Sequence, residues 1–171
     1  MTYSGNKDSI PMSDQYSNYI LENFDICSAT EIKRVFKEHN PDVVMHLAAE
    51  SHVDRSIENP QAFLETNILG TAALLDAAKN SWLDSDDNSS CDSNDTTQSN
   101  LAKNKIFYHI STDEVYGSLG HEGLFSEETS YDPRSPYSAS KASSDHIVRA
   151  YYHTYKLPIV ISNCSNNYGA N

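Results

Sequence analysis

Short apolar runs alternate with stretches of helical periodicity along this 171-residue chain, and that alternation restricts the fold more than any other feature. Tyr19 to Ile26 reads as a short strand, and Ser28-Ala29-Thr30-Glu31 has the spacing of a capping box that opens a helix carrying Ile32, Val35 and Phe36 on one face. Asn40-Pro41 ends that helix. Asp42 to Ala49 contains the run Val43-Val44-Met45-His46-Leu47, whose near-continuous apolar character suits a parallel strand buried on both faces. From Pro60 to Trp82, Phe63, Leu64, Asn67, Ile68, Thr71, Leu74, Leu75 and Ala78 recur at helical spacing, with Asn59-Pro60 as cap and first-turn residue. Lys105 to Ser111 reads as a strand, Ser135 to Tyr155 as a third long helix and Leu157 to Asn163 as a fourth strand. Such alternation implies right-handed crossovers and an α/β, doubly wound parallel sheet sandwiched by helices, with ligands at the carboxyl ends of the strands.

Composition narrows the function classes. The net charge of −12 opposes binding to a nucleic acid backbone or an anionic membrane. Cys27, Cys91 and Cys164 are odd in number and widely spaced, so neither a disulfide framework nor a zinc site is expected, and a reducing cytoplasm fits. No window approaches the roughly 20 apolar residues of a membrane span, and Met1 to Gln15 is polar throughout. Asp84 to Asn100 holds five Asp and no basic residue and is expected to be a disordered acidic loop within a single domain spanning residues 1–171.

The chemistry concentrates after two of the apolar runs. Ser111-Thr112-Asp113-Glu114 places two hydroxyls and two carboxylates at a strand end, where neighbouring carboxyls can be driven to different pKa values and divide acid and base work. The same four residues also fit a capping box before Gly117. Tyr-x-x-x-Lys occurs three times, at Tyr3/Lys7, Tyr137/Lys141 and Tyr152/Lys156, and only Tyr137 opens a helix one loop beyond that polar strand end. There the i, i+4 spacing brings ammonium and phenol together, and a nearby cation favours phenolate. A surface Tyr packed on a Lys stem is the bland reading of the same spacing. His46, His52 and His109 lack metal-ligand spacing, and core or surface roles are expected for them, with no metal site.

Four ordered segments carry a family resemblance. His46-Leu47-Ala48-Ala49-Glu50-Ser51-His52-Val53-Asp54-Arg55-Ser56, Ser111-Thr112-Asp113-Glu114-Val115-Tyr116-Gly117, Tyr137-Ser138-Ala139-Ser140-Lys141 and Asn163-Cys164-Ser165-Asn166-Asn167-Tyr168-Gly169 together closely resemble the dTDP-glucose 4,6-dehydratases, members of the extended short-chain dehydrogenase/reductase family. The resemblance implies an NAD-dependent lyase of nucleotide-sugar metabolism that converts dTDP-glucose to a 4-keto-6-deoxy sugar nucleotide. It makes Tyr137 the base for the sugar 4-hydroxyl, Lys141 the holder of the nicotinamide ribose, and Thr112 a hydrogen-bond partner of the 4-oxygen. Glu114 would remove the C5 proton and Asp113 would protonate the departing 6-hydroxyl. Leu47, Ala48, Ala49, Glu50 and Ser51 would line the cofactor, Asp25 and Ile26 would flank its adenine, Thr66 would touch it, and Asn167 would complete that wall. Ser51 and Asn166 would face the substrate. Dimerisation through the helices 60–82 and 135–155 is implied as well.

The family pattern also opens with a glycine-rich turn and an acidic residue that holds the adenosine ribose, and closes with a smaller substrate domain. None of these motifs occurs in the 171 residues. The expected domain is therefore an incomplete Rossmann-like one, and the isolated chain is expected to be inactive or impaired, because the backbone donors that cradle a pyrophosphate are missing. A UDP-glucose 4,6-dehydratase, another sugar-nucleotide epimerase or decarboxylase, and a non-catalytic fragment pairing with a full-length paralogue stand as alternatives.

Overall fold

The computed structural model describes residues 16–83, 104–120 and 122–167. Strands β1 (Val43–His46), β2 (Ile106–Thr112) and β3 (Ile159–Cys164) form one parallel sheet in the order β1-β2-β3, in register at Val44, Phe107 and Ile159. Helix α1 (Ala29–His39) precedes β1, helices α2 (Val53–Glu58), α3 (Pro60–Phe63) and α4 (Thr71–Trp82) lie between β1 and β2, and α5 (Pro136–Tyr155) between β2 and β3. Local chemistry explains the boundaries. Ser135 accepts from the Ser138 amide in a reciprocal capping box with Pro136 in the first turn, and Lys156 closes α5 in the left-handed conformation. Asn40 closes α1 the same way at φ 40°, just before Pro41.

Helices α1, α4 and α5 cover one face of the sheet. Ile32 and Phe36 from α1, Leu75, Ala78 and Trp82 from α4, and Val148 from α5 bury Phe107 at the centre of β2, with Leu157 closing the end of the cluster. Trp82 also donates its indole N–H to the carbonyl of Pro41 at 2.9 Å, fixing the end of α4 against the turn that starts β1.

The long helix expected from Pro60 to Trp82 is continuous, but its middle, Leu64–Gly70, is π-helical. Asn67 explains the irregular stretch. Its side chain is buried, donates to the Glu50 carbonyl at 3.0 Å and to Ser140 at 2.8 Å, and accepts from the Glu50 amide at 2.9 Å. The Thr71 hydroxyl in turn donates to the Asn67 carbonyl at 2.6 Å. The widened turn brings Gly70 against Ile26, where a Cβ would lie 2.7 Å from Ile26 Cδ1.

Several expectations are corrected. Tyr19 to Ile26 forms no strand, because no strand among the described residues runs beside it to complete a hydrogen-bonded ladder, and Ile20 and Leu21 are exposed. The strand expected over Asp42 to Ala49 is only Val43–His46, and it is not buried on both faces. Alternate residues point to opposite sides of a sheet, so Val44 and His46 face the helices while Val43 and Met45 are 56% and 60% exposed. Ile106 and Val160 are exposed as well, so among the described residues helices cover one face of the sheet. The capping box expected at Ser28 is not formed: Ser28 makes no side-chain cap, its amide donates to the Asp25 carbonyl at 2.8 Å, and the Glu31 carboxylate accepts from Arg34 at 3.0 Å. The acidic stretch 84–100 lies outside the described residues. No helix among the described residues is long and apolar enough to cross a membrane.

Candidate active site

An open cleft of ≈ 460 Å³ lies where the strands end. The segment after β1 contributes Leu47, Ala49, Ser51 and His52, and the end of β2 contributes Ile110, Ser111, Thr112 and Glu114. Tyr137 and Lys141 enter from the first turns of α5, and Cys164 to Asn167 close the side beyond β3. The segment after β1 is held by the π turn, since Asn67 grips both backbone groups of Glu50.

Each polar group in the cleft has a traceable position. Thr112 caps the turn that follows β2, its hydroxyl accepting from the Glu114 amide at 3.3 Å. The capping box expected from Ser111 to Glu114 is not formed, because the Glu114 amide donates to Thr112, while the Ser111 hydroxyl turns to Asp145 and donates to it at 2.8 Å. Gly117 ends the turn at φ 86°, where a Cβ would lie 2.6 Å from the Asp132 carbonyl, so the chain passes too closely for any side chain. Tyr137 packs edge-on against Phe63, with ring centroids 6.3 Å apart. Lys141 is 5% exposed and donates to the Ile110 carbonyl at 2.7 Å.

Burial dominates the electrostatics. It pulls Lys141 down to about 8, with the Asp145 carboxylate acting in the opposite direction. Tyr137 is raised above the ordinary phenol value, first by burial and then by the charges of Glu114, Asp113 and Asp145, while the Thr112 hydroxyl offsets part of this. The net direction at Tyr137 is thus upward from burial and the carboxylates, where the Tyr137/Lys141 spacing implied a downward one. Glu114 is raised by burial and by the neighbouring Asp113.

Of the residues singled out from sequence, Leu47, Ala49, Ser51, Thr112, Glu114, Tyr137, Lys141, Asn166 and Asn167 line the cleft together. Asp113 is half-buried beside Thr112, whose hydroxyl lies 3.4 Å from its carboxylate. Ala48, Glu50 and Thr66 lie outside the lining. Asp25 and Ile26 also lie outside it: Asp25 closes a turn by accepting from the Cys27 amide at 2.8 Å, and Ile26 packs on Gly70. Among the three Tyr-x-x-x-Lys pairs, Tyr3/Lys7 lies outside the described residues, and Tyr152/Lys156 sits at the exposed end of α5. Tyr137 and Lys141 are the buried pair. His46 and His109 are core residues on the covered face of the sheet, as expected. His52, Ile110, Ser111, Cys164 and Ser165 line the cleft without having been assigned a role there, and all but Ile110 lie within the quoted motifs.

A family model described as GDP-mannose 4,6 dehydratase matches residues 1–171. The chain belongs to this family. Within the GDP-mannose 4,6 dehydratase family it is 52% identical over 181 residues to dTDP-glucose 4,6-dehydratase 1 of Escherichia coli (strain K12), covering 99% of this chain and 46% of that protein. The dTDP-glucose 4,6-dehydratase of Xanthomonas campestris pv. campestris (strain B100) is 48% identical over 169 residues, covering 99% of this chain and 45% of that one. The chain therefore spans about half the length of these relatives. Among solved structures, DesIV (dTDP-glucose 4,6-dehydratase) from Streptomyces venezuelae with NAD and TYD bound superposes with a TM-score of 0.81 at 38% identity, over 99% of this chain and 45% of that one. The UDP-glucose 4-epimerase of Thermus thermophilus in complex with NAD, 24% identical with a TM-score of 0.74 over 95% of this chain and 44% of that one, shares the fold.

Proposed function

We propose that this chain carries the catalytic groups of an NAD-dependent dTDP-glucose 4,6-dehydratase. The observation that carries the reading is the convergence of Thr112, Glu114, Tyr137 and Lys141 in one cleft at the strand ends, supported by the identity to dehydratases of that name. The cleft suits the cofactor chemically: Leu47 and Ala49 offer an apolar wall for a flat ring, and Lys141 uses one of its three N–H donors on Ile110, leaving others for ribose hydroxyls. When bound, NAD supplies a hydride acceptor and donor beside the sugar. Leu47 to Ser51, Thr66 and Asn167 would hold it, with Asp25 and Ile26 towards the adenine, while Ser51 and Asn166 would face the nucleotide sugar.

The chain's own residues then divide the proton work. Tyr137 takes the 4-hydroxyl proton at its phenolic oxygen, with Thr112 hydrogen-bonded to the same sugar oxygen. Lys141 is the ammonium that lines the cleft among the described residues and is the cation available to stabilise the phenolate. A carbonyl at C4 acidifies the C5 hydrogen. Glu114, whose carboxyl burial and the neighbouring Asp113 hold above the ordinary value, lines the cleft and removes that proton. Asp113 donates a proton to the departing 6-hydroxyl, so water leaves and a 5,6-alkene conjugated to the 4-carbonyl remains; return of the hydride to C6, which bound NAD would supply, and of a proton to C5 would then give the 4-keto-6-deoxy sugar. Pairing of two copies through residues 60–82 and 135–155 belongs to the same reading, since α4 and α5 pack side by side and Leu69, Tyr152 and Tyr155 remain exposed.

The test is formation of the 4-keto product from dTDP-glucose and NAD. Product should accumulate, at the impaired rate expected of the isolated chain, above a Tyr137→Phe control, and Glu114→Gln should cut that rate on the order of 10²–10⁴-fold, the usual loss for a general base. Equal rates for the unaltered chain and Tyr137→Phe would contradict the reading.

A further inference from the structure

Asp145 follows Lys141 by one turn of α5 and has no exposed surface. Its Oδ2 accepts from Ser111 Oγ at 2.8 Å, from the Tyr131 phenol at 2.8 Å and from Asn163 Nδ2 at 3.4 Å. Its Oδ1 lies 3.1 Å from His109 Nε2 and has no hydrogen-bond partner of good geometry. One carboxylate thus touches β2 one residue before Thr112-Asp113-Glu114, β3 three residues before Asn166, and the segment that leads back from the cleft to α5.

A fully buried carboxylate is costly unless a cation compensates it. His109 does not act as that cation, because burial holds it below its ordinary value. Arg149 is exposed, donating to the Tyr131 hydroxyl at 3.3 Å and lying 5.4 Å over its ring, and is thus engaged with Tyr131. The buried cation is Lys141, on the same helix face at i, i+4 spacing. Resting on the reading of the cleft given above, we propose that Asp145 is a positioning residue of this site, the buried counter-charge that keeps Lys141 an ammonium while tying the ends of β2 and β3 to α5.

The remaining titratable or charged groups facing this pair are His46 from β1, His109 from β2, Asp113, Glu114 and Tyr116 from the turn after β2, Tyr131 from the returning segment, and Tyr137 and Arg149 on α5. Removing the Asp145 charge while keeping its shape isolates its share. The experiment is carbon-13 NMR titration of the full chain labelled at lysine Cε, the Lys141 signal being assigned by its loss in Lys141→Gln. The Lys141 midpoint, expected near 8 in the unaltered chain, should fall by a unit or more in Asp145→Asn, a tenfold or larger loss of proton affinity. Tyr131→Phe, which keeps the charge, should leave it in place. In the product assay the alkaline limb should move down with the midpoint in Asp145→Asn. An unmoved midpoint in folded Asp145→Asn overturns the proposal. Should that variant not fold, aspartate-carboxyl labelling of the unaltered chain decides: one carboxyl signal should step at the Lys141 midpoint and lose the step in Lys141→Gln, and no such step overturns it. These titrations need neither nucleotide nor turnover, so failure of the inference is distinguishable from failure of the proposed activity.

Discussion

His46 and His109 lie on the covered face of the sheet with ring centroids 5.2 Å apart, and each has a polar contact that does not require a charge. His46 Nε2 is 2.9 Å from the Thr71 hydroxyl, and His109 Nε2 is 3.4 Å from that of Ser144. Burial, with the charge of Lys141 nearby, pushes His46 down to about 3 from 6.5 and moves His109 in the same direction. In both cases the unfolded chain binds the proton more readily. The contribution of His46 is therefore present in full above pH 6.5 and is lost as pH falls toward 3, and that of His109 is lost in the same direction. For His46 alone the loss is about 2 kcal/mol on going from 6.5 to about pH 5. Urea unfolding followed across that range should show it, and His46→Gln should flatten the dependence. Ordinary acid unfolding by carboxylate protonation would begin lower and would be indifferent to that substitution.

At the scale of elements, the π segment Leu64–Gly70 links the long helix to the cleft, because Asn67 faces Glu50 and Ser140 at the same time. Gly70 ends that segment in close approach to Cγ1 and Cδ1 of Ile26. Gly70→Ala should cost about 1–3 kcal/mol in spite of the better helix propensity of alanine, and Ile26→Val should recover part of that loss when the two are combined. Additive losses in the double variant would contradict the packing argument. Elements whose ends are written in local chemistry were legible in the sequence: Asn59-Pro60 and Ser135-Pro136 start helices where expected, and Ile106 to Ser111 is strand throughout. What was not legible depends on partners distant in the chain. Tyr19 to Ile26 has strand composition but no neighbour to pair with, and the π turn follows from the contacts of Asn67 rather than from any periodicity. The same division holds in the site. Thr112, Glu114, Tyr137 and Lys141 announced themselves by residue type and spacing, whereas Asp145 looked like one more polar residue on a helix until Ser111, Tyr131 and Asn163 were seen to converge on it.

For the whole molecule, three strand ends and one helix start are brought to a common point by a sheet whose other face leaves Val43, Met45, Ile106 and Val160 exposed. That places every group of the proposed chemistry at the carboxyl edge of a parallel sheet, where an α/β fold offers its crevice. The charge of −12 is carried elsewhere as well as here, and Lys141 is the cationic side chain lining the cleft among the described residues. An anionic nucleotide would therefore be oriented by that ammonium and by the neutral donors of Ser51, Asn166 and Asn167. The most direct measurement is amide NMR of the full chain titrated with NAD, beside Lys141→Gln. The account predicts saturable shifts centred on Ala49, Ser51, Thr112, Lys141 and Asn167, weakened in Lys141→Gln. Shifts that are absent at millimolar NAD, or that gather away from the strand ends and ignore Lys141→Gln, would contradict it.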